Sequence, residues 1–156
     1  MFVLGTFADE ISPDPKEQTA VLKVCGVRHI EFRSIYQTNV LALSDAQIDE
    51  FKALLDVEGF ELSAIGSPIG KVRIDEPFEP HFDLALKACD LAKQFRTPNV
   101  RVFSYYPPER GEFPRDEVIR RMAAKAEYAA THGLTLFHEN EHRIYAASPA
   151  RVLDLI

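Results

Sequence analysis

The feature that most constrains the fold of this chain is the alternation of strand-like and helix-like segments along its 156 residues. Short apolar runs are each followed by a longer segment whose apolar residues recur with helical periodicity, and the pair repeats roughly every 30 residues. Such alternation is typical of βαβ units, whose strands assemble into one parallel sheet. The sequence therefore predicts an α/β protein with five β/α units.

The ends of several predicted segments carry clear start and stop signals. Ser44 with Gln47 three positions later is a capping box that begins a helix, and Gly59 ends the same helix. Ser148 followed by Pro149 is an N-cap with proline at the first helical position. The predicted strands span residues 2–7, 28–32, 61–65, 99–103 and 134–138. No linker or low-complexity stretch divides the pattern, so we expect residues 1–156 to belong to one domain.

Two architectures accommodate five such units: a doubly wound sandwich, and the first five units of a (β/α)₈ TIM barrel. Charged residues in the predicted strands distinguish them. Glu31, Arg101 and Glu139 alternate with apolar neighbours, so each lies on one face of its strand. A charge in a buried strand is costly unless it is paired, and the interior of a barrel brings such side chains together. The sequence therefore favours a partial TIM barrel, with residues 1–156 as the N-terminal part of one barrel domain.

Charge and cysteine content narrow the function classes. The chain has 18 Lys and Arg against 24 Asp and Glu, a formal net charge of −6, which disfavours binding to a phosphate backbone. No apolar stretch approaches the roughly 20 residues of a membrane helix, and the first residues lack the basic region of a signal peptide. Cys25 and Cys89 lie far apart in helical segments, as is typical of reduced thiols. We expect a cytoplasmic protein without nucleic-acid or membrane partners, and a homo-oligomer remains open.

The run His-Glu-Asn-Glu-His at residues 138–142 satisfies the H-E-x-x-H pattern of zinc peptidases. That chemistry requires a helix, on which histidines four positions apart bind one metal ion. Here the run follows an apolar segment that predicts a strand, on which His138 and His142 would stand about 13 Å apart. A zinc ion with bonds of about 2 Å cannot join them. The run instead offers Glu139 as a carboxylate ligand at a strand end, where parallel α/β proteins bind their ligands.

Short segments along nearly the whole chain carry a resemblance to one known family. They are residues 30–33 (Ile-Glu-Phe-Arg), 67–71 (Ser-Pro-Ile-Gly-Lys), 100–104 (Val-Arg-Val-Phe-Ser), 138–141 (His-Glu-Asn-Glu), 144–145 (Ile-Tyr) and 148–149 (Ser-Pro). Together they resemble the xylose isomerase-like (β/α)₈ barrel superfamily, the sugar phosphate isomerases and epimerases. The resemblance points to the superfamily and leaves the particular sugar open.

The resemblance implies a metal-dependent enzyme. In this family Glu, Asp, His and Glu at the ends of strands five to eight hold a divalent metal ion, for which Mn²⁺, Zn²⁺, Mg²⁺ and Co²⁺ are the candidates. Metal and paired glutamates interconvert ketoses and aldoses, or epimerise a carbon beside a carbonyl, through an enediolate. Glu139 matches the ligand of strand five and would also be the catalytic acid or base. The resemblance places the other three ligands beyond Ile156, so we expect this chain alone to be inactive.

The resemblance also implies contacts to a small-molecule sugar or sugar phosphate. Ser67 and Lys71 lie in the loop after the third strand, which faces the substrate in the family. His81 stands at the start of the following helix and is expected either to reach the same rim or to remain a surface histidine. Glu31 and Arg101 are expected to form an internal ion pair that shapes the barrel and borders the substrate.

Other functions stay open at this point. A receiver-type doubly wound module needs an aspartate after strand three and a lysine after strand five, where this chain has Ser67 and Glu139. An apurinic endonuclease-type metal hydrolase on the same barrel needs a basic face for DNA, which the net charge of −6 disfavours. The third alternative is a non-catalytic partial-barrel fragment, because the amphipathic segment 151–156 ends without a helix stop signal.

Overall fold

A computed structural model of the chain describes residues 2–156. In chain order its strands are β1 (Gly5–Thr6), β2 (His29–Phe32), β3 (Ser34–Ile35), β4 (Thr38–Asn39), β5 (Glu61–Ile65), β6 (Asn99–Val102) and β7 (Thr135–His138). Its helices are α1 (Pro15–Val24), α2 (Asp45–Glu58), α3 (Phe78–Gln94), α4 (Arg115–Thr131) and α5 (Pro149–Val152). Within the described residues no helix has the length and hydropathy of a membrane-spanning segment.

The strands of the main sheet follow one another in space in the order in which they follow along the chain. The order is β1-β2-β5-β6-β7, and every neighbouring pair is parallel. A doubly wound sheet reverses its strand order at a switch point, and the described part of this sheet contains no such reversal. Sequential order is the arrangement of a TIM barrel. The predicted partial barrel of five β/α units is therefore confirmed.

Local signals account for the helix ends. The hydroxyl of Ser44 accepts a hydrogen bond from the N–H of Gln47, and the side-chain oxygen of Gln47 accepts one from the N–H of Ser44, so the predicted capping box is present. Gly59 ends α2 in the left-handed conformation, with φ of 72°. Asp14 caps α1, and Pro15 occupies its first turn, where its missing N–H leaves no hydrogen bond unmade.

Three elements differ from their prediction. β1 has two residues, whereas a strand over residues 2–7 was predicted. The difference arises because Phe2 and Leu4 are 98% and 70% exposed and pair with no strand. The final helix α5 has four residues and continues as a 3₁₀ turn, Leu153–Leu155. The hairpin of β3 and β4 was not predicted, because its turn residues Tyr36 and Gln37 adopt positive φ without the glycine that usually signals such a turn.

The apolar core lies between the sheet and the helices. Phe32 of β2 packs against Phe51 of α2 with ring centroids 4.5 Å apart, and Phe95 lies against both rings. Burial of these rings accounts for the alternation in β2, in which Ile30 and Phe32 are each 1% exposed while Glu31 between them faces the other side of the sheet.

Beyond the strand ends, the loops continue the sheet as a rim. The loop that follows β5 pairs with the segment after β6: the N–H of Phe103 donates to the carbonyl of Ile69 at 2.6 Å, and the N–H of Tyr105 donates to that of Gly70 at 2.9 Å. Gly70 has φ of 95°, and a Cβ there would lie 1.9 Å from the carbonyl oxygen of Phe103. This close approach requires glycine and fixes the position of the loop that carries Lys71.

Candidate functional site

Three charged side chains meet on the inner face of the sheet, which we call the interior cluster: Glu31 of β2, Arg101 of β6 and Glu139, the residue after β7. The Nη1 of Arg101 donates to Oε2 of Glu139 at 2.9 Å, and its Nε lies 3.4 Å from Oε1 of Glu31. The strand pattern predicted this meeting, and the structure brings the three side chains together. Two carboxylates around one guanidinium leave the cluster with a formal charge of −1.

Aromatic packing holds the guanidinium of Arg101 in place. The guanidinium carbon Cζ of Arg101 lies 5.1 Å from the ring centroids of both Phe7 and Phe103, within cation–π distance. Its Nη2 donates to the carbonyl of Gly66 at 3.1 Å, and its side chain is only 10% exposed. The rotamer of Arg101 is therefore fixed by packing, and Arg101 in turn fixes the carboxylate of Glu139.

The two carboxylates of the interior cluster differ in environment. Burial raises the pKa of Glu31, while the charge of Arg101 acts in the opposite direction. Oε1 of Glu31 and Nε of Arg101 are buried and make no hydrogen bond within residues 2–156. The side chain of Glu139 is 43% exposed, against 24% for Glu31. Glu139 is therefore the carboxylate that a ligand meets first.

A cleft of about 470 Å³ opens beside the interior cluster. Its lining includes inward-facing residues of four strands or strand ends: Glu31, Ser63, Asn99, Arg101, Phe137 and Glu139. Phe137 is 51% exposed, so it gives the cleft an apolar surface next to amide, hydroxyl and charged groups. A polyhydroxylated ligand of sugar size is chemically compatible with this mixture of surfaces.

The described residues do not complete a metal site. No group of three His, Cys, Asp or Glu side chains converges within residues 2–156. Glu139 offers one carboxylate, and its Oε2 already accepts from Arg101. His138 belongs to strand β7, and His142 follows in a loop. The H-E-x-x-H run is therefore not helical, as the sequence predicted, and does not form a peptidase zinc site.

At the rim, Lys71 and Glu141 form an ion pair that we call the rim pair. The Nζ of Lys71 lies 2.6 Å from Oε2 of Glu141 and 4.3 Å from the ring centroid of Phe103. The two side chains are 36% and 32% exposed. Lys71, which was predicted to contact substrate, thus lies at the rim formed by the strand ends. Its charge is neutralised by Glu141, which was not among the predicted substrate contacts.

Ser67 does not line the cleft. It is fully buried, its hydroxyl donates to the carbonyl of Arg101, and its oxygen accepts from the N–H of Ile69 at 3.3 Å. The hydroxyl of Ser67 therefore joins the loop after β5 to β6, and its contact with a substrate stays a prediction.

His81 lies beneath the rim rather than on it. It is 6% exposed, and its Nε2 accepts the N–H of Gly70 at 2.7 Å. Burial and the nearby charges of Lys125 and Arg121 lower the pKa of His81 to about 4, so the ring is neutral at pH 7 with its proton on Nδ1. The expectation of a surface histidine is wrong, because α3 turns this residue inward under the loop.

Sequence reasoning missed a second group of polar side chains around His81, which we call the buried cluster: His81, Tyr105, Arg121 and Lys125. The Nζ of Lys125 donates to the hydroxyl of Tyr105, and the two residues are 1% and 0% exposed. Burial lowers the pKa of Lys125 to about 7 and raises the pKa of Tyr105. One signal was available, since Lys125 is spaced from Met122 and Ala129 by three and four positions on the buried stripe of α4.

Comparison with known proteins gives a family match and several similar structures. The family described as xylose isomerase-like TIM barrel matches residues 20–156. A xylose isomerase-like TIM barrel protein from Mycobacterium smegmatis, determined in complex with magnesium, is 20% identical and superposes with a TM-score of 0.74 over 98% of this chain and 59% of that chain. No curated protein matches by sequence.

Two further similar structures are epimerases or epimerase-like by name. A D-tagatose 3-epimerase-like protein is 15% identical, with a TM-score of 0.74 over 97% of this chain and 59% of its own. The 3-keto-D-glucoside 4-epimerase YcjR from E. coli is 14% identical, with a TM-score of 0.67 over 99% of this chain and 64% of its own. The present chain thus spans about three-fifths of the length of these structures, and at such identities the likeness establishes the fold.

Proposed function

Because the chain belongs to the xylose isomerase-like TIM barrel family, we propose that its interior cleft binds a sugar or sugar phosphate and that Glu139 serves proton transfer in an isomerase or epimerase reaction. The observation that carries this proposal is the hydrogen bond from Arg101 to one carboxylate oxygen of Glu139, which fixes the orientation of that carboxylate. A carboxylate with a fixed orientation, at the end of a parallel strand and beside an open cleft, is suited to general acid–base chemistry.

The proposed reaction moves one proton at carbon. A base removes the proton from the hydroxyl-bearing carbon next to a carbonyl, so that the C–H electron pair becomes the C=C bond of an enediolate and the carbonyl π pair moves onto oxygen. In isomerisation the same base returns the proton to the former carbonyl carbon, while the hydroxyl proton passes to the former carbonyl oxygen and the new carbonyl forms. In epimerisation a second acid on the opposite face of the carbon supplies the new proton. Glu139 would hold this proton, with Arg101 keeping its carboxylate in place. Asn99 and Ser63 line the same cleft and would orient sugar hydroxyls. Glu31 borders the cleft with a raised pKa and would donate to or accept from a hydroxyl according to its protonation.

A divalent cation remains part of the proposal for the family fold. A magnesium complex of a similar structure supports it. Glu139 is the ligand that the family resemblance implies, and within residues 2–156 no three metal-binding side chains converge. The donor set described here therefore does not fit a metal site by itself, and the proton-transfer step above is assigned without one. We further propose one domain and a cytoplasmic location, in keeping with the free thiols of Cys25 and Cys89.

Sugar binding tests the proposal directly. A set of aldoses, ketoses and their phosphates is titrated into the ¹⁵N-labelled chain, with and without Mg²⁺, and amide shifts are followed. We expect shifts at residues 99, 101 and 139, and at least about tenfold weaker binding for Glu139→Gln because a carboxylate contact is lost. Glu127→Gln, an exposed carboxylate on α4, is the matched control and should bind as the wild type does.

Chemistry is tested separately from binding. Incubation with the bound sugar in D₂O, followed by NMR of the sugar, should show deuterium at the carbon beside the carbonyl for the wild type and not for Glu139→Gln. This exchange requires only proton removal by Glu139, so we expect it even though we expect no net conversion of the sugar by this chain alone. Binding without deuterium exchange would assign the chain to the non-catalytic alternative. Absence of amide shifts with every sugar tested, or equal losses in Glu139→Gln and Glu127→Gln, would contradict the proposed site.

A further inference from the structure

One residue connects the two loops that carry the rim pair. The N–H of Tyr105 donates to the carbonyl of Gly70, the residue before Lys71, at 2.9 Å. The carbonyl of Tyr105 accepts the N–H of Tyr145, which lies in the same loop as Glu141, also at 2.9 Å. Tyr105 therefore sits between the two halves of the rim pair and contacts both loops through its backbone.

The backbone of Tyr105 takes a conformation that a bulky residue rarely adopts. Its φ is 70°, in the left-handed region, which is strained for a tyrosine and persists only where the surroundings hold it. Both backbone hydrogen bonds of Tyr105 depend on this conformation, because a change of φ would turn the N–H and the carbonyl away from their partners. The side chain must therefore be held firmly.

The buried cluster supplies that hold. The hydroxyl of Tyr105 accepts a hydrogen bond from Lys125 of α4, whose Nζ also lies 4.3 Å from the tyrosine ring centroid. The imidazole ring of His81 also lies beside the Tyr105 ring, with the two ring centroids 5.8 Å apart. Within residues 2–156, Lys125 has no carboxylate within 4.0 Å. The hydroxyl and the ring of Tyr105 are thus the polar and the aromatic partner of the buried Lys125 amine.

We propose that Tyr105 is a positioning residue for the rim pair: anchored by Lys125, it holds the loops of Lys71 and Glu141 at the spacing that lets their side chains meet over Phe103. The effect passes through the two backbone hydrogen bonds of Tyr105 and not through contact with a substrate. The importance of the rim pair for a sugar rests on the proposed function, whereas the dependence of the pair on Tyr105 does not.

The test uses a signal specific to the rim pair. Lys71 lies over the Phe103 ring, so the ring current should shift its ε-methylene protons upfield in the NMR spectrum, and Phe103→Leu should abolish that shift and so assign it. Tyr105→Phe removes the hydroxyl and keeps the ring. We expect the Lys71 signal to move to the position of a free lysine, and amide hydrogen exchange at residues 105 and 145 to accelerate about tenfold relative to strands β2 and β5.

Two further variants complete the design. Tyr106→Phe is the matched control: its hydroxyl makes no hydrogen bond within residues 2–156, so both signals should match those of the wild type. Lys125→Met removes the other partner of the anchor and should reproduce the effect of Tyr105→Phe, which keeps the proposal testable if either variant folds poorly.

Three outcomes would overturn the proposal. They are a wild-type Lys71 signal in both Tyr105→Phe and Lys125→Met, equal acceleration of exchange at the rim and in the strands, and the same change in Tyr106→Phe. The measurement needs no sugar, so a failure of sugar binding with these signals intact would count against the proposed function alone.

Discussion

The interior cluster and the buried cluster each contain buried cations, but their charges are compensated in different ways. In the interior cluster Arg101 faces two carboxylates, and one of them, Glu139, is 43% exposed beside a cleft. In the buried cluster Arg121 pairs with Glu117, whereas Lys125 is 1% exposed and contacts a neutral hydroxyl and an aromatic ring. A cluster with a partly exposed charge can act on a ligand, whereas a fully enclosed one acts on the protein. The comparison therefore separates a site for chemistry from a support for the rim.

The largest expected effect comes from removing the cation of the interior cluster. Arg101→Met leaves Glu139 and Glu31 without a counter-charge and the carbonyl of Gly66 without a donor, so we expect the free energy of unfolding to fall by about 5 kcal/mol. Urea denaturation at pH 7 measures it. Arg115→Met, which removes the ion pairs of a 56% exposed arginine with Asp116 and Asp154, is the control and should lower the free energy of unfolding far less. Equal losses would mean that the interior cluster is no more than a surface ion pair.

The next effect concerns the buried ammonium. Lys125 has a pKa of about 7 in the folded chain, below its ordinary 10.5, so the unfolded chain binds more protons between these values. The free energy of unfolding should therefore rise from pH 7 to pH 10.5, by about 4 kcal/mol from this group. Lys125→Met should lose that rise in urea denaturation at several pH values, and Lys16→Met, at an exposed position of α1, should keep it. If the free energy of unfolding of the wild type, Lys125→Met and Lys16→Met changed with pH in the same way, Lys125 would not have the lowered pKa on which this prediction depends.

These two predictions also show what the sequence could and could not foresee. Alternation within β2, β6 and β7 placed Glu31, Arg101 and Glu139 on one face, because side chains in a strand alternate strictly. The interior cluster was predictable for that reason. The buried cluster was not, because it depends on how α3 and α4 pack beneath a loop, and no local pattern reports such packing.

The rim illustrates the same limit. Ser67 and Lys71 lie four positions apart in one loop, yet the first is fully buried and the second is at the surface. Loop residues follow no period, so a prediction from position alone treats them alike. The pairing of the loop with residues 103–106 decides which of them is exposed, and that pairing is a tertiary contact.

A smaller effect should come from His81, which supports the rim as a neutral hydrogen-bond acceptor. Its pKa is about 4 in the folded chain against an ordinary 6.5, so the unfolded chain takes up the proton first as the pH falls. The stability that this group contributes above pH 6.5 should be lost towards pH 4, by about 3 kcal/mol in the free energy of unfolding. His81→Gln, whose side-chain oxygen can accept from Gly70, should lack this loss in acid titrations monitored by circular dichroism.

The control for His81 is His132→Gln, at the exposed end of α4. It should retain the acid sensitivity of the wild type. If His132→Gln and His81→Gln flatten the curve to the same extent, the acid loss does not arise in the buried cluster.

The smallest effect is expected for Glu31. Burial raises the pKa of Glu31, so its contribution to stability is full at pH values below the ordinary 4.5 and is lost as the pH rises through the raised value. Glu31→Gln should leave stability at pH 7 unchanged or increased by less than about 1 kcal/mol, since the amide needs no counter-charge. A loss above about 2 kcal/mol in urea denaturation would instead show that the contact with Arg101 outweighs burial.

The close approach of Gly70 to Phe103 bears on how this chain can vary. A side chain at position 70 would have to occupy the space of the Phe103 carbonyl, and no change of side-chain rotamer relieves an overlap with backbone. In a saturation library selected for folding, position 70 should therefore retain glycine, while the exposed neighbouring position, Lys71, should accept many different residues. Relatives that carry a larger residue there would need a different loop, so this single position sorts family members by the architecture of their rim before any of their activities is known.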